Sequence, residues 1–228
     1  MKNEKIINEI VKDINNLSGK HSSFEIFSDW VTMGAITIQN ACCHTQDDVI
    51  YQKRKKTFED IEKKYTEKEL KIIFELYSKL INAFENEKWD YLGEIFMNLN
   101  NSADKKIMGQ CFTPFEVSMI MAKINLKDIK EEKSFTLYEP TCGAGGMIIS
   151  TAKELFNKGI NYQNCMKVVA QDLNILCVYM AYLQLSLLNV NAVIGQGDTL
   201  EEPNIKDYPK DRIFRTPANL GFNLCKIN

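Results

Sequence analysis

The sequence lacks the features that mark exported, membrane-spanning or strongly basic proteins. Its N-terminal stretch is charged throughout and has no apolar core, so no signal peptide is expected. No apolar run approaches the length of about 18 residues that suggests a membrane-spanning helix. The formal net charge is −2, which gives no sign of the basic face that nucleic-acid-binding domains usually carry. We therefore expect a soluble, cytoplasmic protein that does not associate with a membrane.

Metal sites and disulfide frameworks are not expected either. The seven cysteines are an odd number, they form no CxxC pair, and no export signal accompanies them. Cys42, Cys43 and His44 are adjacent, but adjacent cysteines chelate a single tetrahedral ion poorly and the further ligands are missing. A structural or incidental role is the expectation for all the cysteines.

Glycine and proline are absent from residues 37–90, and this part of the chain has the pattern of packed helices. Residues 22–25 and 66–69 each have the hydroxyl and glutamate spacing of a capping box. After the second box, apolar residues recur at helical 3, 4 and 7 spacing. The sequence predicts a helical bundle domain over residues 1–105 and an α/β domain over residues 106–228.

A basic run at residues 53–56 lies in the predicted bundle. Acidic residues such as Glu59 follow it, so charges of both signs recur at i,i+4 spacing. We favour a solvated helix face, because the nearby acids would cancel much of the attraction for an anion. A patch that contacts phosphate groups is the alternative.

From Phe135 onward, short apolar runs alternate with helical segments. The predicted strands are residues 135–138, 166–170 and 191–194, with a weak fourth at 213–214, and the predicted helices are 147–158 and 174–188. This alternation is typical of βαβ units and predicts a parallel sheet. The expected fold class is α/β, with a helical N-terminal bundle followed by a truncated Rossmann-like sheet.

Polar residues follow three of the predicted strands, where parallel sheets bind their ligands. Glu139 and the glycine-rich residues 143–146 follow the first strand, Asp172 follows the second, and Asp198 follows the third. Glycines let the backbone approach a ligand closely, and an acid after the second strand is where such folds hold ribose hydroxyls. Together these positions predict a nucleoside site. Each alone is equally typical of a plain turn or a helix cap.

The glycine turn departs from the dinucleotide fingerprint GxGxxG, because its glycines lie closer together and Glu139 precedes it. This difference favours a ligand without a pyrophosphate. S-adenosylmethionine meets the requirement, with Glu139 at the amino-acid ammonium and Asp172 at the ribose.

A further segment, residues 109–116, has the sequence GQCFTPFE. Thr113 as N-cap, Pro114 as the first helical residue and Glu116 two positions later predict the start of a helix. A plain helix start does not explain Gly109 or Phe112, so this segment is a candidate part of the site.

Three stretches together carry a resemblance to a known family: GQCFTPFEV, YEPTCGAGGM, and AQDLN with the following MAYLQLSLLNVNAVIGQGDTL. They resemble the methylation subunit of type I restriction-modification systems, a group of N6-adenine DNA methyltransferases. The resemblance covers nearly the whole chain. It implies a helical domain before an S-adenosylmethionine-binding domain, and a DNA substrate recognised through a separate specificity subunit.

The resemblance also implies which residues contact the cofactor. At its methionine end these are Gly109, Phe112, Thr113 and Pro114. Along its amino-acid portion they are Glu139, Thr141, Gly143 and Gly145. Asp172 is implied at the ribose, Leu173 against the adenine, and Asp198 at the adenine amine.

The family's catalytic Asn-Pro-Pro-aromatic motif, which holds a flipped adenine, does not occur after the predicted fourth strand. The corresponding degenerate region contains Thr216, Pro217, Asn219 and Phe222 in a different order, so the catalytic residues stay unassigned. The chain also stops where the family continues. Its last strand would then be an edge that a partner chain or a second copy covers.

Three hypotheses follow from this pattern. The first is a methyltransferase-like protein that binds S-adenosylmethionine and transfers methyl groups poorly or not at all on its own. The second is an active methyltransferase completed by a partner chain. The third is a non-catalytic interaction or regulatory protein with a vestigial cofactor pocket.

Overall fold

The computed structural model describes residues 2–42, 48–99, 111–130 and 133–222. The chain divides into two compact units. The first consists of Met1–Glu87 and Tyr91–Cys111, and the second consists of Lys88–Asp90 and Phe112–Asn228. The domain boundary predicted between residues 105 and 106 lies outside the described residues and stays a prediction. Within the ranges that are described, no helix is both long enough and apolar enough to cross a membrane.

The first unit is built from helices, as the sequence predicts. Its elements are α1 (Lys2–Leu17), α2 (Ser23–Ala41), α3 (Val49–Glu62), α4 (Glu67–Asn86) and α5 (Tyr91–Leu99). Trp30 of α2 is fully buried, and its ring centroid lies 6.0 Å from that of Phe27 and 5.7 Å from that of Tyr77. Burial of each such side chain contributes roughly 1.5–3 kcal/mol. The predicted helical bundle is confirmed.

The two predicted capping boxes form to different extents. Before α4, Thr66 Oγ1 accepts the Glu69 N–H at 3.4 Å, and the Glu69 carboxylate accepts the Thr66 N–H at 2.7 Å, which completes the box. Before α2, Ser22 Oγ accepts the Glu25 N–H at 3.1 Å. The Glu25 carboxylate instead lies 3.0 Å from His21 Nδ1. A neighbouring imidazole therefore engages the glutamate that would close the second box.

The basic run lies on the solvent side of α3. Lys53, Lys55 and Lys56 are exposed, and Lys55 Nζ lies 3.9 Å from a Glu59 carboxylate oxygen. These positions favour the solvated helix face over the phosphate-contacting patch.

The second unit is a four-stranded sheet with helices. Its elements are α6 (Phe115–Asn125), β1 (Phe135–Glu139), α7 (Gly146–Asn157), α8 (Tyr162–Cys165), β2 (Met166–Asp172), α9 (Ile175–Leu187), β3 (Asn191–Gln196) and β4 (Ile213–Arg215). Three short 3-10 turns occur at Ile205–Asp207, Lys210–Arg212 and Pro217–Leu220. The strand order is β1-β2-β3-β4. The predicted α/β fold class is confirmed.

The fully parallel sheet predicted from the sequence is wrong for the last strand. β1, β2 and β3 run parallel, but β4 runs antiparallel to β3, with Phe214 opposite Ile194. A parallel return needs a crossover, usually a helix, and the connection from β3 to β4 contains only 3-10 turns. Phe214 is buried against α9, 5.5 Å from the ring of Tyr179. This burial fixes the strand at the β3 edge.

The start of α6 also differs from its prediction. Pro114, with φ −52° and ψ 139°, is the N-cap, and the helix begins at Phe115 without a side-chain cap. The Pro114 carbonyl accepts the first helical bonds, from the N–H groups of Val117 at 3.0 Å and Ser118 at 3.1 Å. Phe115 is buried, with its ring centroid 4.4 Å from that of Trp89. Packing of this ring therefore moves the helix start one residue beyond Pro114, and Thr113 stays exposed.

The end of α7 follows its prediction. Gly159 has φ 74° just after the helix, as expected of a C′ glycine. The Ile160 N–H donates to the Leu155 carbonyl at 3.0 Å, and the Gly159 N–H donates to the Phe156 carbonyl at 2.9 Å. These two bonds form a Schellman motif.

The ammonium of Lys158 ties this helix end to the loop after α6. Its Nζ donates to the carbonyl oxygens of Leu126, of Lys127 at 3.5 Å and of Ile129 at 3.4 Å. Lys158→Met keeps the unbranched stem and removes the donors, so we expect the free energy of unfolding to fall by about 1 kcal/mol. Urea denaturation measures it, with Lys56→Met on the exposed face of α3 as the control. Equal midpoints for the two variants would contradict this role.

Candidate functional site

The carboxyl ends of β1, β2 and β3 meet at one edge of the sheet, because the three strands run parallel. The register places Glu139 opposite Ala170 and Asp172 opposite Gln196. Asp198 follows β3 by two residues, at the same edge. The structure therefore brings together the three acids that the sequence singles out.

The glycine turn after β1 needs backbone conformations that side chains disfavour. Gly143 has φ 53° and Gly145 has φ 95°, both in the left-handed region. The Cys142 N–H donates to the Gln171 carbonyl at 2.8 Å, which ties the turn to the end of β2, and the Gly145 N–H donates to the Cys142 carbonyl at 2.8 Å. Gly145 is the N-cap of α7 and provides no side-chain cap. The helix α7 thus begins directly after this turn.

Asp172 joins the glycine turn to the start of α9. One of its carboxylate oxygens accepts the Gly143 N–H at 2.9 Å, and the other accepts the Asn174 N–H at 2.9 Å. A carboxylate has about four lone-pair positions, so both oxygens can still accept bonds from sugar hydroxyls. The position is compatible with the predicted ribose contact, which stays a prediction.

Glu139 is a half-buried carboxyl group at the end of β1. Burial raises the pKa of Glu139, and a backbone hydrogen bond with Thr141 acts in the opposite direction. Desolvation disfavours the charged form of a carboxyl group, and a neighbouring cation favours it. An ammonium beside Glu139 would therefore stabilise the carboxylate. This arrangement suits the amino-acid end of a cationic ligand.

Phe112 lies against the glycine turn. A Cβ placed on Gly143 would be 3.0 Å from Phe112 Cδ1 and 3.1 Å from Cε1, so the turn has room only for glycine there. Phe112, 31 positions before Gly143 in the chain, and the glycine turn therefore form one cradle. Thr113 and Pro114 are exposed beside Phe112 in the sequence, and Gly109 lies outside the described residues.

The residues predicted to contact the adenine lie in the loops after β2 and β3. Leu173 is 67% exposed, and its carbonyl accepts a hydrogen bond from Gln196 Nε2 at 3.4 Å. Asp198 accepts the Leu200 N–H at 2.9 Å through its side chain, which is the geometry of a local turn. An exposed apolar side chain next to Asp172 is a suitable surface for a purine ring. The turn role of Asp198 accounts for that acid without a ligand.

The sequence interpretation missed a buried hydrogen-bond network beside these acids. The fully buried Gln171 accepts the Tyr138 hydroxyl at 2.6 Å and donates to the Tyr208 hydroxyl at 2.6 Å. Tyr208 in turn covers the end of β3: a Cβ on Gly197 would lie 2.5 Å from its hydroxyl oxygen. The available signal was the polar residue Gln171 between the apolar run 166–170 and Asp172.

The degenerate region, residues 216–222, lies at the end of the sheet opposite the carboxyl ends of β1, β2 and β3. Thr216 is buried, and its Oγ1 donates to the Val190 carbonyl at 2.7 Å and accepts the Ala192 N–H at 3.0 Å. Asn219 Nδ2 donates to Asn191 Oδ1 at 2.8 Å. Because β4 is antiparallel, these residues lie beside the amino end of β3. The structure therefore does not bring them to Asp172.

Pro217 and Phe222 belong to the same tail. Pro217 is buried at the start of a 3-10 turn, and Phe222 is 40% exposed and donates its N–H to the Pro217 carbonyl at 2.9 Å. These contacts give the two residues a local structural role.

The chain is similar in sequence to known DNA methylases. The family model described as N-6 DNA Methylase matches residues 85–224. The chain is 23% identical over 151 residues to a type I restriction enzyme methylase subunit of Methanocaldococcus jannaschii, a match that covers 62% of this chain and 26% of that protein. The chain thus spans about a quarter of the length of that curated relative.

Two solved structures are similar to this chain. One is described as a class I S-adenosylmethionine-dependent methyltransferase from Listeria monocytogenes, with 16% identity, a TM-score of 0.52, and coverage of 86% of this chain and 54% of that one. The other is a type I restriction-modification methyltransferase subunit from Streptococcus thermophilus, with 13% identity, a TM-score of 0.47, and coverage of 92% and 60%. The first likeness supports the assigned fold.

Proposed function

Because the chain belongs to the N-6 DNA methylase family, we propose that it is a DNA adenine-N6 methyltransferase-like protein that binds S-adenosylmethionine. The observation that carries this proposal is the shared edge at which Glu139, Asp172 and the glycine turn meet. When bound, S-adenosylmethionine supplies a methyl group on a positively charged sulfur. A phosphate-free cation is the ligand that an acid-lined, glycine-rich cradle favours.

Different residues around the cradle bind different parts of this ligand. Asp172 accepts the ribose hydroxyls, and Glu139 binds the ammonium. The exposed face of Leu173 packs on the adenine, whose amine donates to Asp198. Phe112, with the neighbouring Gly109, Thr113 and Pro114, encloses the methionine end. The backbone of Thr141, Gly143 and Gly145 lines the amino-acid portion.

DNA and further protein chains are the proposed partners. A specificity subunit brings the DNA target, and a partner chain or a second copy covers the exposed edge of the sheet. The transfer of the methyl group to adenine requires acceptors for the adenine amine. In this proposal a partner chain provides them, because the tail containing Asn219 lies beside the amino end of β3.

A second candidate function is a non-catalytic interaction or regulatory protein. The buried hydrogen bonds of Thr216 favour it, because they give the degenerate region a structural role at the edge remote from Asp172. Titration calorimetry with S-adenosylmethionine distinguishes the candidates: absence of binding at millimolar concentration removes the methyltransferase-like proposal. Transfer of a labelled methyl group to unmethylated DNA, with and without a specificity subunit, then tests catalysis.

Asp172→Ala is expected to weaken S-adenosylmethionine binding by more than about 1 kcal/mol, the typical net contribution of a single hydrogen bond. Calorimetry measures the affinity, and circular dichroism checks that the variant is folded. Asn219→Ala is the matched control, because Asn219 pairs with Asn191 at the other end of β3 and its loss should leave the affinity unchanged. An unchanged affinity in Asp172→Ala would place the ribose elsewhere.

A further inference from the structure

The glycine turn has almost no side chains of its own to hold its shape. Three of its four residues, Gly143, Gly145 and Gly146, are glycines, and two of these have left-handed backbone angles. Glycine has the largest conformational freedom of any residue, so a turn of this composition samples many conformations unless other groups fix it. The groups that fix it decide whether the cradle is preformed.

Gln184 of α9 is one such group. It is fully buried, and its Nε2 lies 2.8 Å from the Ala144 carbonyl oxygen and 2.8 Å from an Asp90 carboxylate oxygen. Both partners only accept hydrogen bonds, so the amide nitrogen must face them and both of its protons are used. Ala144 lies between the two glycines with left-handed angles. A single amide group therefore holds the centre of the turn.

Asp90 is the second group, and it belongs to the same compact unit as the turn. Its side chain is buried, and its second carboxylate oxygen lies 2.8 Å from the point where a Cβ on Gly146 would be. Gly146 is the first residue of α7, whose N-cap Gly145 provides no side-chain cap. A carboxylate at a helix N-terminus is stabilised by the helix dipole. Asp90 thus supports the start of α7, which the glycine turn leaves without a side-chain cap.

We infer that Gln184 and Asp90 form a buried clamp that fixes the glycine turn in its ligand-receiving conformation. Gln184 holds the turn at Ala144, and Asp90 holds it at Gly146. Both side chains are buried, so they act through the backbone of the turn and are positioning residues. The clamp deepens the proposed function and rests on it only for the identity of the ligand.

The clamp also affects the choice of ligand. Helix N-termini bind phosphate groups because their N–H groups and dipole attract anions. At α7 the carboxylate of Asp90 already lies against the first helical residue. A phosphate at the same place would meet a negative charge, so the clamp disfavours nucleotides and favours a cationic nucleoside.

Hydrogen exchange of the ligand-free protein tests the clamp directly. Gln184→Met preserves side-chain length and removes both donors, so the amides of residues 143–146 should exchange about tenfold faster, the upper end for the loss of the one neutral hydrogen bond that holds the turn at Ala144. The glycine amide resonances of Gly143 and Gly145 should shift in the ¹⁵N–¹H spectrum. Ser186→Ala is the control, because Ser186 is buried on the same helix and its hydroxyl has no hydrogen-bond partner among the described residues.

Asp90→Asn is the milder second variant, since it keeps the shape of the side chain and removes its charge. It should also speed exchange in residues 143–146, while exchange in α9 stays at the wild-type rate. Unchanged exchange and unchanged glycine resonances in both variants would overturn the clamp. Faster exchange that extends evenly over the whole unit would also overturn it, because it would show a general loss of stability.

Calorimetry with S-adenosylmethionine completes the experiment. If the wild-type protein binds, Gln184→Met should bind about tenfold more weakly, in proportion to the faster opening of the turn. Wild-type affinity in a Gln184→Met protein whose turn exchanges faster would overturn the ligand-receiving role. If the wild-type protein does not bind, the proposed function fails, and the exchange measurements still decide the clamp.

Discussion

Gly145→Val is expected to abolish measurable S-adenosylmethionine binding and to lower the free energy of unfolding by about 3 kcal/mol. Gly145 has φ 95° and ψ 13°, a conformation that a β-branched residue rarely adopts. A Cβ there would contact Ala181 Cβ at 3.5 Å and Leu185 Cγ at 3.9 Å, so the two γ-carbons of valine have no room. The variant either moves the turn or separates it from α9.

Gly159→Val is the matched control for this effect. Gly159 also has a left-handed φ, 74°, but no atom of the residues that the structure describes lies within 4 Å of a Cβ placed on it. Its free energy of unfolding should therefore fall only by the backbone strain of about 1–2 kcal/mol, and it should bind the cofactor like the wild-type protein. Chemical denaturation and calorimetry on the two variants separate backbone strain from damage to the cradle. Equal losses of stability and affinity would show that the packing of the turn has no special role.

Gly197→Ala is expected to lower the free energy of unfolding by about 1–3 kcal/mol, the usual cost of overpacking. The new Cβ would lie 2.5 Å from the Tyr208 hydroxyl oxygen and 2.6 Å from Cζ. Tyr208 cannot move away cheaply, because it is buried and its hydroxyl accepts from Gln171 at 2.6 Å. The segment that covers the end of β3 would have to shift.

A double-mutant cycle with Tyr208→Ala tests whether this contact is the cause. In the Tyr208→Ala background the ring is gone, so Gly197→Ala should change stability by less than about 0.5 kcal/mol. Gly19→Ala is the control for the general effect of replacing a glycine, because a Cβ there meets nothing within 4 Å in the described part of the chain. The interpretation fails if Gly197→Ala costs the same with and without the tyrosine ring.

Local signals made much of this fold predictable. The end of α7 at Gly159 and the complete capping box at Thr66 depend on neighbouring residues alone, and both occur where the sequence predicts them. Three of the four strands follow from apolar runs between helices. The acids after these strands share one sheet edge because parallel pairing requires it.

The features that sequence reasoning missed depend on distant partners. β4 pairs antiparallel with β3 because Phe214 is buried beside α9, which no local pattern reveals. The clamp joins Asp90 to Gln184, which are 94 positions apart. Asp90 lies outside the stretches that carry the family resemblance, and Gln184 lies inside the third of them without an implied role. Only the three-dimensional arrangement shows that a glutamine in an apolar helix supports a turn 40 residues before it.

Asp172 has one consequence for judging whether related chains are functional. Its carboxylate accepts hydrogen bonds from the Gly143 and Asn174 amides, which gives it a structural role besides the proposed ribose contact. A descendant that had given up its ligand would still need an acid there to connect β2 with its surroundings. The presence of this aspartate is therefore poor proof of an intact methyl-donor site. Glu139, whose burial disfavours its charged form, is the more informative residue to inspect.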